Sequence, residues 1–94
     1  MQRLHLVVLG RVQGVGFRWY IAQQGKTLGV CGAVRNRADG AVEIDAEGER
    51  AALERLIEAA RLGPRDARVD QVLEGWAEGA ARFADFTIAR DARS

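Results

Sequence analysis

The chain has 94 residues, 48% of them apolar and 29% charged, with a net charge of +1, so a single domain over residues 1–94 with one modest core is expected. A charge this small sets up no field of the kind that draws nucleic acid or a membrane surface, and the apolar run Leu6 to Leu9 is too short for a secretory signal or a membrane span. The single cysteine, Cys31, cannot form an intramolecular disulfide, which agrees with a reducing, cytoplasmic setting.

Leu4 to Val12 is apolar, β-branched and short, and it runs into glycine-rich sequence, as a first strand would. Phe17, Ile21 and Leu28, with Tyr20 beside them, form a stripe compatible with one buried helical face, and Gly29 follows where a helix-ending glycine belongs. The spacing predicts a helix over residues 17–28. Gly25 inside it costs about 1 kcal/mol relative to alanine, so packing rather than propensity must hold that helix. From Val30 to Arg37 the chain alternates. Val30, Gly32, Val34 and Asn36 face one way, and Cys31, Ala33, Arg35 and Arg37 face the other, which is a second strand.

Asp39-Gly40 separates that strand from Ala41 to Ala46, where Val42, Ile44 and Ala46 alternate with Glu43 and Asp45. This is a hairpin closed by a tight turn. Leu53, Leu56, Ile57 and Ala60 then fall at helical spacing opposite Glu54, Glu58 and Arg61, and Gly63-Pro64 stops the pattern. The last third is ambiguous. Val69, Val72, Leu73 and Trp76 carry helical spacing, while Ala67, Val69, Gln71 and Leu73 could equally be one face of a strand. Phe86, Thr87 and Ile88 suggest a short closing strand, with Gly75 to Ala84 as a loop; Ser94, the only serine, stands in a tail expected to fray.

If the tail supplies a strand, the order is βαββαβ: a ferredoxin-like α+β sandwich, with an antiparallel sheet and two helices on one face. Strands one and two then run parallel with strand three between them, so their carboxyl ends share an edge. Asn36 would sit at that edge about two strand spacings of roughly 5 Å from the end of strand one. The stretch leaving strand one there is GRVQGVGFR, Gly10 to Arg18. Gly14 and Gly16 can adopt positive φ without steric penalty, letting successive backbone N–H groups form a concave anion-binding nest. The following helix adds its N-terminal partial positive charge, and Arg18 adds a guanidinium fork suited to phosphate oxygens. The loop lacks the third glycine of a dinucleotide fingerprint and the Gly-Lys-Ser/Thr of a Walker A loop.

The motifs GRVQGVGFR and GAVRNRADGAVE (Gly32 to Glu43), with Gly63-Pro64, resemble the acylphosphatase family over about Leu6 to Ile88. The resemblance implies the ferredoxin-like sandwich and a small metal-independent, cofactor-free enzyme that hydrolyses the carboxyl-phosphate bond of acyl phosphates, releasing inorganic phosphate. It implies that the backbone of Gln13, Gly14, Val15, Gly16, Phe17 and Arg18 cradles the phosphate, that Arg18 also binds it by side chain, and that Asn36 positions the attacking water. It also implies a strand near Arg68 to Glu74 before the closing one. Two positions depart from the family: Ala33 stands where a tryptophan is often found, and Gly25 where a better helix former would be usual.

The residues agree with that chemistry on their own terms. A carboxylate, whose conjugate acid has a pKa of about 4, leaves at neutral pH without a general acid. The chain has one histidine, His5, at the far end of strand one, and no Cys/His or carboxylate cluster at metal-ligand spacing. Cys31 reads as a small strand filler and Asp39 as a turn residue; Trp19 either shields the site or packs, and Arg37 at the turn could help attract anions. Two other readings stand beside the enzyme: a non-catalytic anion-binding or interaction module on the same fold, and an RNA-recognition domain. The last should show stacking aromatics on its central strands, and Leu4 to Val12 and Ala41 to Ala46 contain none. A monomer is expected.

Overall fold

A computed structural model describes residues 1–91 of the chain; Ser94 lies outside the described residues. The elements are β1 (Gln2–Arg11), α1 (Phe17–Leu28), β2 (Cys31–Asn36), β3 (Val42–Gly48), α2 (Arg50–Leu62), β4 (Arg68–Glu78) and β5 (Phe86–Ile88). The sheet order is β4-β1-β3-β2-β5, so β3 lies between β1 and β2 and the carboxyl ends of β1 and β2 share an edge.

Alternation along the central strands decides which face the helices cover. Leu4, Leu6 and Val8 of β1, Val34 of β2, and Val42, Ile44 and Ala46 of β3 all point to one side and are buried. Phe17 and Ile21 of α1 and Leu53, Leu56, Ile57 and Ala60 of α2 pack against them in one cluster. The other side carries an ionic lattice in place of a second apolar layer. Glu43 accepts from Arg35 Nε at 2.8 Å and meets His5 Nε2 at 2.7 Å, while Arg35 Nη2 reaches Asp45 at 3.1 Å. The Arg35 hydrogen bond holds the Glu43 carboxyl below its ordinary value against the opposing effect of burial, and His5 adds to the lowering.

Gly25 has a physical reason. A Cβ there would lie 2.4 Å from the Phe86 ring, so the bare helix surface is what lets β5 pack under α1.

Two expectations are corrected. The sheet is mixed, because β5 pairs parallel to β2 through Gly32↔Phe86, Ala33↔Thr87 and Val34↔Ile88. β4 ends beside the start of β1, so the chain crosses that end of the sheet and must enter β5 in the direction β2 runs. The second correction concerns β4, which continues through Glu78, so residues 75–78 belong to a strand and not to a loop. Its inward face is also different from Ala67, Val69, Gln71 and Leu73. The pairing shifts between Leu9↔Gln71 and Gly10↔Val69, leaving Asp70 as an extra residue, a β-bulge. Beyond it Val72 and Trp76 join Val69 against the core, and Leu73 is exposed. The bulge produced the three-residue spacing that imitates a helix.

Candidate active site

At the shared edge the chain leaves β1 through Val12, which is buried, and the side chain of Gln13 brackets the loop to the β2–β3 hairpin. Its Nε2 donates to the carbonyls of Arg37 at 2.7 Å and Ala41 at 2.9 Å. The hairpin is held in turn by Asp39, which accepts the Ala41 amide at 3.1 Å and pairs with Arg37 at 2.8 Å, so Arg37 is already engaged.

Between these anchors Gly14 and Gly16 take φ of +74° and +78°, where a side chain would be strained although space is open around both. Among the described residues, no acceptor is found for the amides of residues 14–18. Helix α1 starts on them with Phe17 buried in the core, with no side-chain cap from Gly16 and no acidic residue in its first turn. A helix start left this way presents unpaired N–H groups and a partial positive charge to an anion.

Asn36 closes β2 on the helix-covered face, in phase with Val34. Its Oδ1 is buried and has no hydrogen-bond partner, a state that costs about 1–3 kcal/mol and calls for a reason. Arg18, half-exposed on the first turn of α1, donates from Nη1 to Asp91 Oδ1 at 3.0 Å. A pocket of about 220 Å³ gathers Gly14, Gly16, Phe17, Arg18 and Asn36. Val12, Trp19 and Ile88 complete its wall.

The sequence-predicted residues therefore meet in part. The side chains of Gln13 and Val15 are outside the pocket, the first spent on the bracket and the second resting on the core, which leaves only their backbone available to it. Asp91 and Ile88 went unnoticed as site residues in the sequence. No periodicity marks Asp91, and Ile88 reaches the pocket only because β5 pairs beside β2. His5 lies on the opposite face, and no group of three or more His, Cys, Asp or Glu that could hold a metal occurs among the described residues.

The family model for acylphosphatase matches residues 4–88. The chain belongs to the acylphosphatase family. An acylphosphatase of Salinibacter ruber is 46% identical over 89 residues, covering 95% of this chain and 94% of the relative. One of Anaeromyxobacter dehalogenans is 49% identical over 86 residues, with 92% of each covered. The crystal structure of acylphosphatase from Bacillus subtilis superposes with a TM-score of 0.92 at 35% identity, covering 95% of this chain and 99% of that one. No helix among the described residues is long and apolar enough to cross a membrane.

Proposed function

We propose that this acylphosphatase-family chain hydrolyses small acyl phosphates by direct attack of water, with Arg18 and Asn36 as its catalytic side chains and the amides of residues 13–18 as its phosphate cradle. The observation that carries the reading is a pairing within one pocket: loop amides without acceptors beside the buried, unpartnered Oδ1 of Asn36. Phosphoryl transfer asks mainly for positioning and for charge stabilisation on the equatorial oxygens, which these donors and a guanidinium supply. Asn36 Oδ1 accepts a hydrogen bond from the water and its Nδ2 can donate one, which fixes the attacking oxygen.

The water oxygen bonds to phosphorus as the bond to the carboxyl oxygen breaks with its electron pair. One water proton stays on the new hydroxyl and the other passes to a phosphate oxygen, so a dianionic acyl phosphate yields a carboxylate and dihydrogen phosphate. The good leaving group removes the need for a general acid. On this reading neither a metal nor a cofactor takes part, and the protein works as a cytoplasmic monomer, a state that sedimentation tests.

Hydrolysis of benzoyl phosphate with a chelator present tests the function. Turnover unaffected by the chelator and lost in Arg18→Ala and Asn36→Ala is expected. No turnover, or turnover undiminished in both variants, would contradict it.

A further inference from the structure

The phosphate cradle accounts for only part of the pocket wall. Gly14, Gly16 and Arg18 face the phosphoryl group on the reading above, Phe17 belongs to the core, and Asn36 holds the water. What remains is apolar, namely Val12 at the base and Trp19 and Ile88 at the mouth. Trp19 is 64% exposed and Ile88 47% exposed, and neither packs into the core cluster. Large apolar side chains left in water beside a polar cradle cost free energy that phosphate binding does not recover. The volume of about 220 Å³ is several times the roughly 30 Å³ of one water, so a phosphoryl group leaves room beside it.

We propose that Trp19 and Ile88 form an acyl subsite that selects substrates whose acyl group is uncharged and aromatic or bulky apolar. The inference rests on the acylphosphatase reading and adds to it the class of acyl group accepted. An indole face binds a flat ring by offset or edge contact, and Ile88 offers an aliphatic wall. An apolar wall of this kind also offers no partner to an acyl group that carries a second negative charge. Contacts of this kind exist before and during the reaction, so they act as uniform binding and show in KM, whereas loss of Arg18 or Asn36 shows in kcat.

The experiment measures kcat and KM for benzoyl phosphate and acetyl phosphate in the wild type, Trp19→Ala, Trp19→Phe and Ile88→Ala. Comparing the same two substrates across variants cancels their intrinsic reactivity. The benzoyl-to-acetyl ratio of kcat/KM is expected to fall about tenfold in Trp19→Ala, chiefly through KM for benzoyl phosphate, the size of one lost apolar contact in a pocket. Trp19→Phe keeps most of the ratio, and Ile88→Ala lowers it by about threefold, a smaller truncation. A ratio unchanged in Trp19→Ala and Ile88→Ala, with both substrates still hydrolysed, overturns the subsite and leaves the acylphosphatase reading standing. No wild-type turnover of either substrate overturns both.

Discussion

Two loops at opposite ends of the sheet handle negative charge in opposite ways. At the end where β1 and β2 begin, the crossing between β4 and β5 closes over Glu47, which is 2% exposed. Its carboxylate accepts the Arg82 amide at 2.8 and 3.0 Å and the Phe83 amide at 3.1 Å. At the end where β1 and β2 finish, the amides of residues 14–18 find no acceptor among the described residues, and a helix begins on them. The first loop is filled by its own chain and is structural. On the proposed reading, the second keeps its donors for an anion from outside. Backbone amides gathered in a loop become a binding site only when the fold withholds the carboxylate that would satisfy them.

Removing the two side chains proposed to act on the anion should have the largest effect. Arg18→Ala or Asn36→Ala is expected to lower kcat by at least about 10²-fold, the usual loss for one transition-state donor, while the thermal midpoint stays within a few degrees. Steady-state kinetics alongside thermal unfolding checks both halves. At the other loop the pattern reverses. Glu47→Ala strands two amides and should destabilise by about 1–3 kcal/mol, lowering Tm by about 4–8 °C for each kcal/mol, with kcat close to wild type. A Glu47→Ala protein of full stability would mean that the two loops do not differ as described.

Much of this contrast was legible in the sequence at one end and hidden at the other. Gly14 and Gly16 have positive φ as their loop required, α1 spans residues 17–28 as its stripe predicted, and Asn36 stands on the edge where the glycine loop leaves. Each is a local signal: a glycine, a period, a parity along a strand. No local pattern marks Glu47 for burial, because that burial depends on a crossing 35 residues later. Asp91 and Ile88 gain their places from the parallel pairing of β5, which no local pattern announces. The inward face of β4 follows neither period, because one bulged residue, Asp70, breaks the alternation.

Smaller effects sharpen the comparison. Gly25→Ala should destabilise by about 1–3 kcal/mol from crowding against Phe86, offset by about 1 kcal/mol of helix propensity, with a net loss read by urea unfolding. Glu43 supplies a pH dependence remote from both loops. Its folded-state pKa lies below its ordinary value of 4.5, so its contribution is present above that pH and is lost as pH falls through the lowered value. Acid unfolding should therefore be flatter in Glu43→Gln below about pH 4.5. The smallest effect concerns Asp91, whose pair with Arg18 is exposed on both sides. Asp91→Asn removes a competing carboxylate from Arg18 and should tighten inhibition by inorganic phosphate by about two- to fivefold, within the range of an exposed ion pair. Weaker inhibition would show instead that Asp91 holds the guanidinium in place.

The central claim is that one loop is reserved for an external phosphoryl group and the other is closed by the chain itself. Backbone amide NMR during titration with inorganic phosphate reads both loops at once. The account predicts saturable shifts at Gly14, Val15, Gly16, Phe17 and Arg18, with Arg82 and Phe83 unmoved. Shifts absent from residues 14–18, or equally large at Arg82 and Phe83, would contradict it.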